Sequence, residues 1–329
     1  MNVGLVYDLR SERLAAGLCE AEPTGFGAEE AVDALRLGLE GLGFQVEAVG
    51  SARSLAAALA RGRRWDLVFN TAEGLFGSGR KALVPALLDA WRIPYTFSDP
   101  LVMALCQDKA ACKRVVRDLG LPTPDFALVR SEKDVADVRL PYPVFAKPVA
   151  EGTAKGTCAA ARAADRKELA VICRVLLRRF KQPVLVEEYL PGREFRVGIV
   201  GTGELARPLG VMEVAVSGAV APGAPGFADT VEYLPTDGPA AQEAARLALD
   251  VWRGLGCRDG GLVDIRLDAQ DRADLLEVNP LAGLDPKVSD LAILCSMNGV
   301  SHQDLLRMIV QSALERVPLD PDREREARR

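Results

Sequence analysis

Gly261-Leu262-Val263-Asp264-Ile265-Arg266-Leu267-Asp268, followed by Leu275-Leu276-Glu277-Val278-Asn279-Pro280, reads as two adjacent β-strands. In the first, Val263, Ile265 and Leu267 alternate with Asp264, Arg266 and Asp268. In the second, Leu275, Leu276 and Val278 surround Glu277 and Asn279. Residues two apart in a strand share a face, so Glu277 and Asn279 point the same way. If the strands pair as a hairpin, Asp264 can face them. Two carboxylates and an amide oxygen are hard ligands, suited to Mg²⁺ or Mn²⁺ held together with a nucleotide's phosphates. Taken alone, the pattern also describes an ordinary hairpin with a solvated polar face; the remaining motifs decide between the two.

Working outward, 329 residues are long for one core, so two or three subdomains are expected. The net charge of −5 and the lack of a long basic tract argue against nucleic acid as the main partner. No apolar run approaches the ~20 residues of a membrane span. Met1 to Tyr7 reads as a first strand rather than a signal peptide. Seven cysteines without a C-x-x-C suit a reducing cytoplasm and no zinc. The single histidine, His302, stands at a helix start, which excludes a histidine-based triad.

Strands 2–7, 45–49 and 65–69 alternate with helices 28–42 and 52–61, the pattern of parallel βαβ units. Tyr7-Asp8-Leu9-Arg10 stands where a dinucleotide fold would place G-x-G-x-x-G. The loop Asn70 to Gly79 follows the third strand, where open α/β sheets place ligands. Beyond residue 100 come a helix over 101–119 carrying Lys109 and a strand ending in Lys147. The loop Glu151-Gly152-Thr153-Ala154-Lys155-Gly156-Thr157 follows, and its small residues can lay N–H groups against phosphates. Helix 165–180, strands 183–190 and 193–200, helices 239–256, 289–297 and 301–315 follow. A Gly-, Ala- and Pro-rich segment over 215–238 reads as a loop.

The order is then Lys109, Lys147 with its Gly-rich loop, Glu187-Glu188-Tyr189-Leu190, Gly192-Arg193-Glu194-Phe195, and Asp264 … Glu277-x-Asn279. Over roughly 65–315 it resembles the ATP-grasp superfamily, and within it the D-alanine–D-alanine ligase-like proteins. The resemblance implies a mixed α/β and α+β chain. An N-terminal parallel-sheet subdomain (1–100) would precede a central subdomain with the phosphate flap (101–182). A C-terminal subdomain with the metal site (183–317) and a charged tail (318–329) would follow. It implies an ATP- and Mg²⁺- (or Mn²⁺-) dependent, ADP-forming carboxylate–amine ligase working through an acyl phosphate. The substrates would be small molecules, amino acids, with no nucleic acid or membrane partner; a homodimer and a cytoplasmic location are compatible with it.

By the same resemblance, Lys109 and Lys147 match the lysines that touch the nucleotide phosphates. Gly152, Thr153 and Gly156 match the flap. Glu187, Glu188 and Leu190 lie at the adenine edge, and Glu194 matches the ribose acid. Asp264, Glu277 and Asn279 match the metal ligands, and Gly283 a glycine whose N–H faces an oxyanion. Phosphoryl transfer to a carboxylate brings two anions together, and lysines and metal offset that repulsion.

Three departures stand out. Leu262 occupies the position of an arginine that in the family stabilises the tetrahedral intermediate, a loss of about 100- to 1000-fold in rate for one such donor. An N-terminal Gly-Gly-x-Ser-x-Glu signature is absent. The 215–238 segment lacks the usual Tyr/Lys cluster. Lys155, inside the flap, is a candidate for a displaced catalytic charge, and Arg266 and Lys287 are others. These departures keep open a ligase for other amino acids or peptides, and a non-catalytic nucleotide-binding protein.

Overall fold

The computed structural model describes residues 1–9, 11, 29–151, 161–217 and 230–317. Strand β1 (Asn2–Val6) is apolar and pairs in parallel with β2 (Gln45–Gly50) and β3 (Leu67–Asn70), giving the order β2-β1-β3. A parallel bridge from Val68 to Tyr95 extends that sheet by one position. Helices α1 (Glu29–Glu40), α2 (Ala52–Ala60) and α3 (Leu83–Ala90) complete the unit.

The helix expected over 101–119 is two helices, α4 (Pro100–Gln107) and α5 (Lys109–Asp118). Asp99 caps the first by accepting from the Val102 N–H, and Asp108 caps the second by accepting from that of Ala111. Asp108 has extended backbone, which breaks the helix and puts Lys109 at the first position of α5.

The middle sheet is antiparallel, order β4-β7-β5-β6, from β4 (Phe126–Val129), β5 (Val144–Pro148), β6 (Ala161–Ala163) and β7 (Val184–Glu188). Period-two alternation sends Val144, Ala146, Val184 and Val186 against α6 (Arg166–Phe180). Lys147 and Glu187 therefore take the opposite face. Because β7 lies between β4 and β5, the expected boundary at 182/183 cuts through this sheet; the sheet extends to Glu188. Likewise Val102, Cys106, Cys112 and Val116 of α4 and α5 pack into the core of the third unit, not the second.

The third sheet is antiparallel, order β10-β9-β8-β11-β12, from β8 (Glu194–Val200), β9 (Arg207–Ser217), β10 (Thr230–Pro235), β11 (Gly260–Leu267) and β12 (Ala273–Asn279). The loop expected over 215–238 is corrected in part: residues to Ser217 and from Thr230 are arms of the β9–β10 pair, and 218–229 lie outside the described residues. Its Gly, Ala and Pro content hid the alternation of half-buried Val231 and Tyr233 with exposed Glu232 and Leu234.

One face of this sheet buries Phe195, Val197, Ile199, Val263, Ile265 and Leu267 against α7 (Pro239–Leu255). A Cβ on Gly261 would lie 2.4 Å from the Asn279 carbonyl oxygen and 2.7 Å from the Trp252 ring, so only glycine lets that indole close on β11. Helices α8 (Asp290–Met297) and α9 (His302–Glu315) join Leu262 and the N-terminal sheet in one apolar core. The five described cysteines are buried free thiols.

Asp259 ties these units together. Its carboxylate accepts from the Phe97 N–H (2.6 Å), Ser312 Oγ (2.8 Å) and Thr202 Oγ1 (3.2 Å), and pairs with Arg316 at 2.5 Å. Asp259→Asn keeps the shape but leaves a half-buried guanidinium without its anion. The expected loss is about 1.5–3 kcal/mol, read from urea unfolding.

Candidate active site

The second face of the third sheet carries the chemistry. Directly opposed residues on antiparallel strands share a face, and Arg196 on β8 opposes Asp264 on β11, which opposes Glu277 on β12. One step along, Leu262 opposes Asn279. The metal candidates Asp264, Glu277 and Asn279 are thus brought together. The register shifts between Asp264 and Ile265, where Leu276 is an extra residue: Leu275 faces the α7 core while Glu277, two positions later, faces the cleft. That bulge aims Glu277 at the site.

From the other side, α5 presents Lys109 and Lys113, four residues apart on one face. Lys109 Nζ lies 3.4 Å from Glu277 Oε2 and donates to the Glu151 carbonyl at 2.6 Å. Lys113 Nζ lies 2.7 Å from Glu187 Oε1 and donates to Thr123 Oγ1 (2.8 Å) and the Leu275 carbonyl (2.9 Å). Lys147 Nζ lies 2.7 Å from the other Glu187 oxygen. Glu187 is 2 % exposed, so its carboxylate is taken up by two ammonium groups. The resemblance assigns Glu187 to the adenine edge through its side chain or its backbone; its side chain sits between Lys113 and Lys147.

The charges hold one another in place. Burial alone would raise Glu187, but Lys113 and Lys147 outweigh it and keep it below the usual carboxylate range. Burial lowers Lys113, whereas for Lys147 Glu187 and Glu277 overcome the same burial and raise it. Burial, aided by Glu277, Glu194 and Asp290, pushes Asp264 up to about 8 against the pull of Arg196. Burial works on Glu277 in the same sense, but Lys109 and Lys147 prevail and hold it at about 2.

Asp264 Oδ1 and Glu277 Oε2 are buried and accept no hydrogen bond among the described residues, where they form ion pairs with Arg196 and Lys109. Two such oxygens on register-paired residues fit a hard divalent cation. Among the described residues no cluster of three His, Cys, Asp or Glu could hold an ion unaided. Asp264, Glu277 and the Asn279 amide would thus share the ion with phosphate oxygens and water, as suits Mg²⁺.

Glu194 pairs with Arg266 at 3.1 Å, and Arg266 also donates to the Gly192 carbonyl. Leu190 is buried and Glu188 exposed beside them. A Cβ on Gly283 would lie 2.7 Å from Ser289 Oγ, and the Leu284 carbonyl lies 2.9 Å from His302 Nε2, so the loop after β12 is pinned. Gly152, Thr153, Lys155 and Gly156 lie outside the described residues.

Sequence reasoning passed over Arg196, Tyr233, Asp290 and Lys113. Arg196 Nε lies 3.2 Å from Asp264 Oδ1, and Arg196 Nη1 bonds the Tyr233 hydroxyl at 3.0 Å and pairs with Asp290. Tyr233 donates to Asp290 at 2.6 Å. Arg196 stands two residues after Glu194, so period two already put it on the site face. Of the cations considered from sequence, Arg266 is engaged by Glu194, Lys287 is exposed, and Lys155 lies outside the described residues.

The family model described as D-ala D-ala ligase C-terminus matches residues 115–311. A D-alanine–D-alanine ligase of Bordetella petrii is 34% identical over 272 residues, covering 79% of each chain. The chain belongs to the D-alanine–D-alanine ligase family. The fold agrees: a Bacillus anthracis D-alanine–D-alanine ligase complexed with ATP superposes with a TM-score of 0.73 at 18% identity, over 96% of this chain and 98% of that one. The VanG D-Ala:D-Ser ligase of Enterococcus faecalis gives 0.75 at 16%, over 95% and 99%. Both neighbours are ligases, and the ATP-grasp architecture is the one shared with this D-alanine–D-alanine ligase family member. Lys147 from the middle sheet and Lys109 from α5 approach the carboxylates of the third sheet.

Proposed function

We infer that this chain is an ATP-dependent, ADP-forming ligase of the D-alanine–D-alanine ligase type, joining a carboxylate to an amine, with ATP and Mg²⁺ (or Mn²⁺) as cofactors. The observation that carries the reading is the cleft itself: Lys109 from α5 meets Glu277 from β12, beside Asp264 and Lys147. In the first step a carboxylate oxygen attacks the γ-phosphorus and ADP leaves. Asp264, Glu277 and Asn279 would hold the ion, whose positive charge would offset that of the phosphate. Lys109 and Lys147, fixed by Glu277 and Glu187, offset the rest. The amine then attacks the acyl carbon, loses a proton, and inorganic phosphate departs with the original carboxylate oxygen.

For the substrate we propose D-alanine on both sides, acting in the cytoplasm, with a homodimer as the assembly. The relatives' names support the first; the absence of the Gly-Gly-x-Ser-x-Glu signature, which in the family helps bind the first D-alanine, makes the site of the carboxylate-donating amino acid the part most open to another substrate. Among the described residues no helix is long and apolar enough to cross a membrane. The test is ADP release with single D- and L-amino acids plus product analysis. D-alanyl-D-alanine is the expected product; a different dipeptide changes the substrate, and ATP binding without ADP release on any acid overturns the ligase reading.

A further inference from the structure

We propose that Arg196 is the catalytic cation that receives the developing oxyanion when the amine attacks, an assignment that rests on the ligase reading above. The charged groups lie in a row across the sheet: Arg196 on β8, Asp264 on β11, Glu277 on β12, then Lys109 beyond the β12 edge. The carboxylates occupy the middle, so the ion and the transferring phosphate belong there. The lysines approach from the β12 side. The acyl carbon, bonded to that phosphate, has the opposite side left to it, and the cation there is Arg196.

The side chain is built for this task. Asp264 holds the guanidinium at Nε, and Asp290 and the Tyr233 hydroxyl hold it at Nη1. Its Nη2 has no hydrogen-bond partner among the described residues, and the side chain keeps 13% of its surface open. A planar guanidinium fixed at two of its nitrogens, with the third free, is a preorganised donor to an oxygen anion. Position 262 of β11 supplies no cation, because Leu262 is packed into the apolar core with Leu281 and Leu284. Arg266 and the three lysines are each committed to a different carboxylate oxygen.

The test separates the two chemical steps in Arg196→Gln and Arg196→Lys. Positional isotope exchange in labelled ATP, run with D-alanine and Mg²⁺, reports reversible acyl-phosphate formation; dipeptide release reports the whole reaction. For Arg196→Gln, dipeptide formation is expected to fall about 100- to 1000-fold. Isotope exchange should stay within about threefold of the wild type, because no donor to the phosphate is lost. Arg196→Lys keeps the charge beside Asp264 and hence the fold. It is expected to show the same split at about 10- to 100-fold, the range for a displaced supporting group. Wild-type ligation in Arg196→Lys, or equal loss of exchange and dipeptide in both variants, overturns the assignment alone. A wild-type protein that releases no ADP with any amino acid overturns the ligase reading and this assignment with it.

Discussion

Glu187→Gln is expected to destabilise the protein by about 3–5 kcal/mol and to abolish ATP turnover. The carboxylate is buried with one ammonium group 2.7 Å from each oxygen. The amide that replaces it would offer one neutral oxygen and an NH₂ that points a donor at a second donor. Lys113 and Lys147 would then face each other with no anion between them. Because the folded pKa of Glu187 is depressed, its contribution is fully present above the unfolded value of about 4.3 and is lost as pH falls through the folded one. Urea unfolding at several pH values should therefore show a gap between wild type and variant that is full at neutral pH and narrows below about pH 4. A triple change, Lys113→Met with Lys147→Met and Glu187→Leu, removes all three charges. It is expected to retain most of the stability, since apolar replacement of a whole buried ionic group is often neutral, yet to remain inactive. That pairing separates the lysines' part in folding from their part in phosphoryl transfer.

Asp264→Asn is expected to act in the opposite direction on stability. Asp264 is a buried carboxylate facing Glu277, Glu194 and Asp290, with Arg196 its ion-pair partner among the described residues, shared with Asp290. Exchanging it for an amide of the same shape relieves that burial, so the metal-free protein should melt no lower than the wild type. Turnover should nonetheless fall by at least about 100-fold, the usual loss when one charge-stabilising group is removed. Melting with and without Mn²⁺ and a non-hydrolysable ATP analogue checks the reason. A ligand that binds only the native state raises the melting temperature; the wild type should show the rise and Asp264→Asn little of it. An equal rise in both would place the ion elsewhere.

The pairing of the two strands that carry Asp264, Glu277 and Asn279 was legible because it needs only period two: the three residues declare their faces by spacing. The bulge at Leu276 was not legible, since nothing in Leu275-Leu276 says which residue is extra; strand partners decide that. Lys109 and Lys147 could be picked out by their motifs. The role of Glu187 could not, because Lys113 arrives from α5, 74 positions earlier in the chain, and only the packing of α5 on β7 and β12 makes the contact. Arg196 was overlooked although its spacing from Glu194 was sufficient, because strand arginines are commonly solvated and its partners Tyr233 and Asp290 lie far along the chain. Composition misled over 215–238, where small residues form paired arms at both ends.

Following oxygen from the acid tests the acyl-phosphate chemistry most directly. D-alanine labelled with ¹⁸O in its carboxylate would be turned over with ATP and Mg²⁺, and the inorganic phosphate analysed by mass. The expected result is one ¹⁸O per phosphate for each dipeptide formed, with ADP as the nucleotide product. Unlabelled phosphate, or AMP in place of ADP, would contradict a carboxylate attacking the γ-phosphorus in the cleft between Lys147 and Asp264.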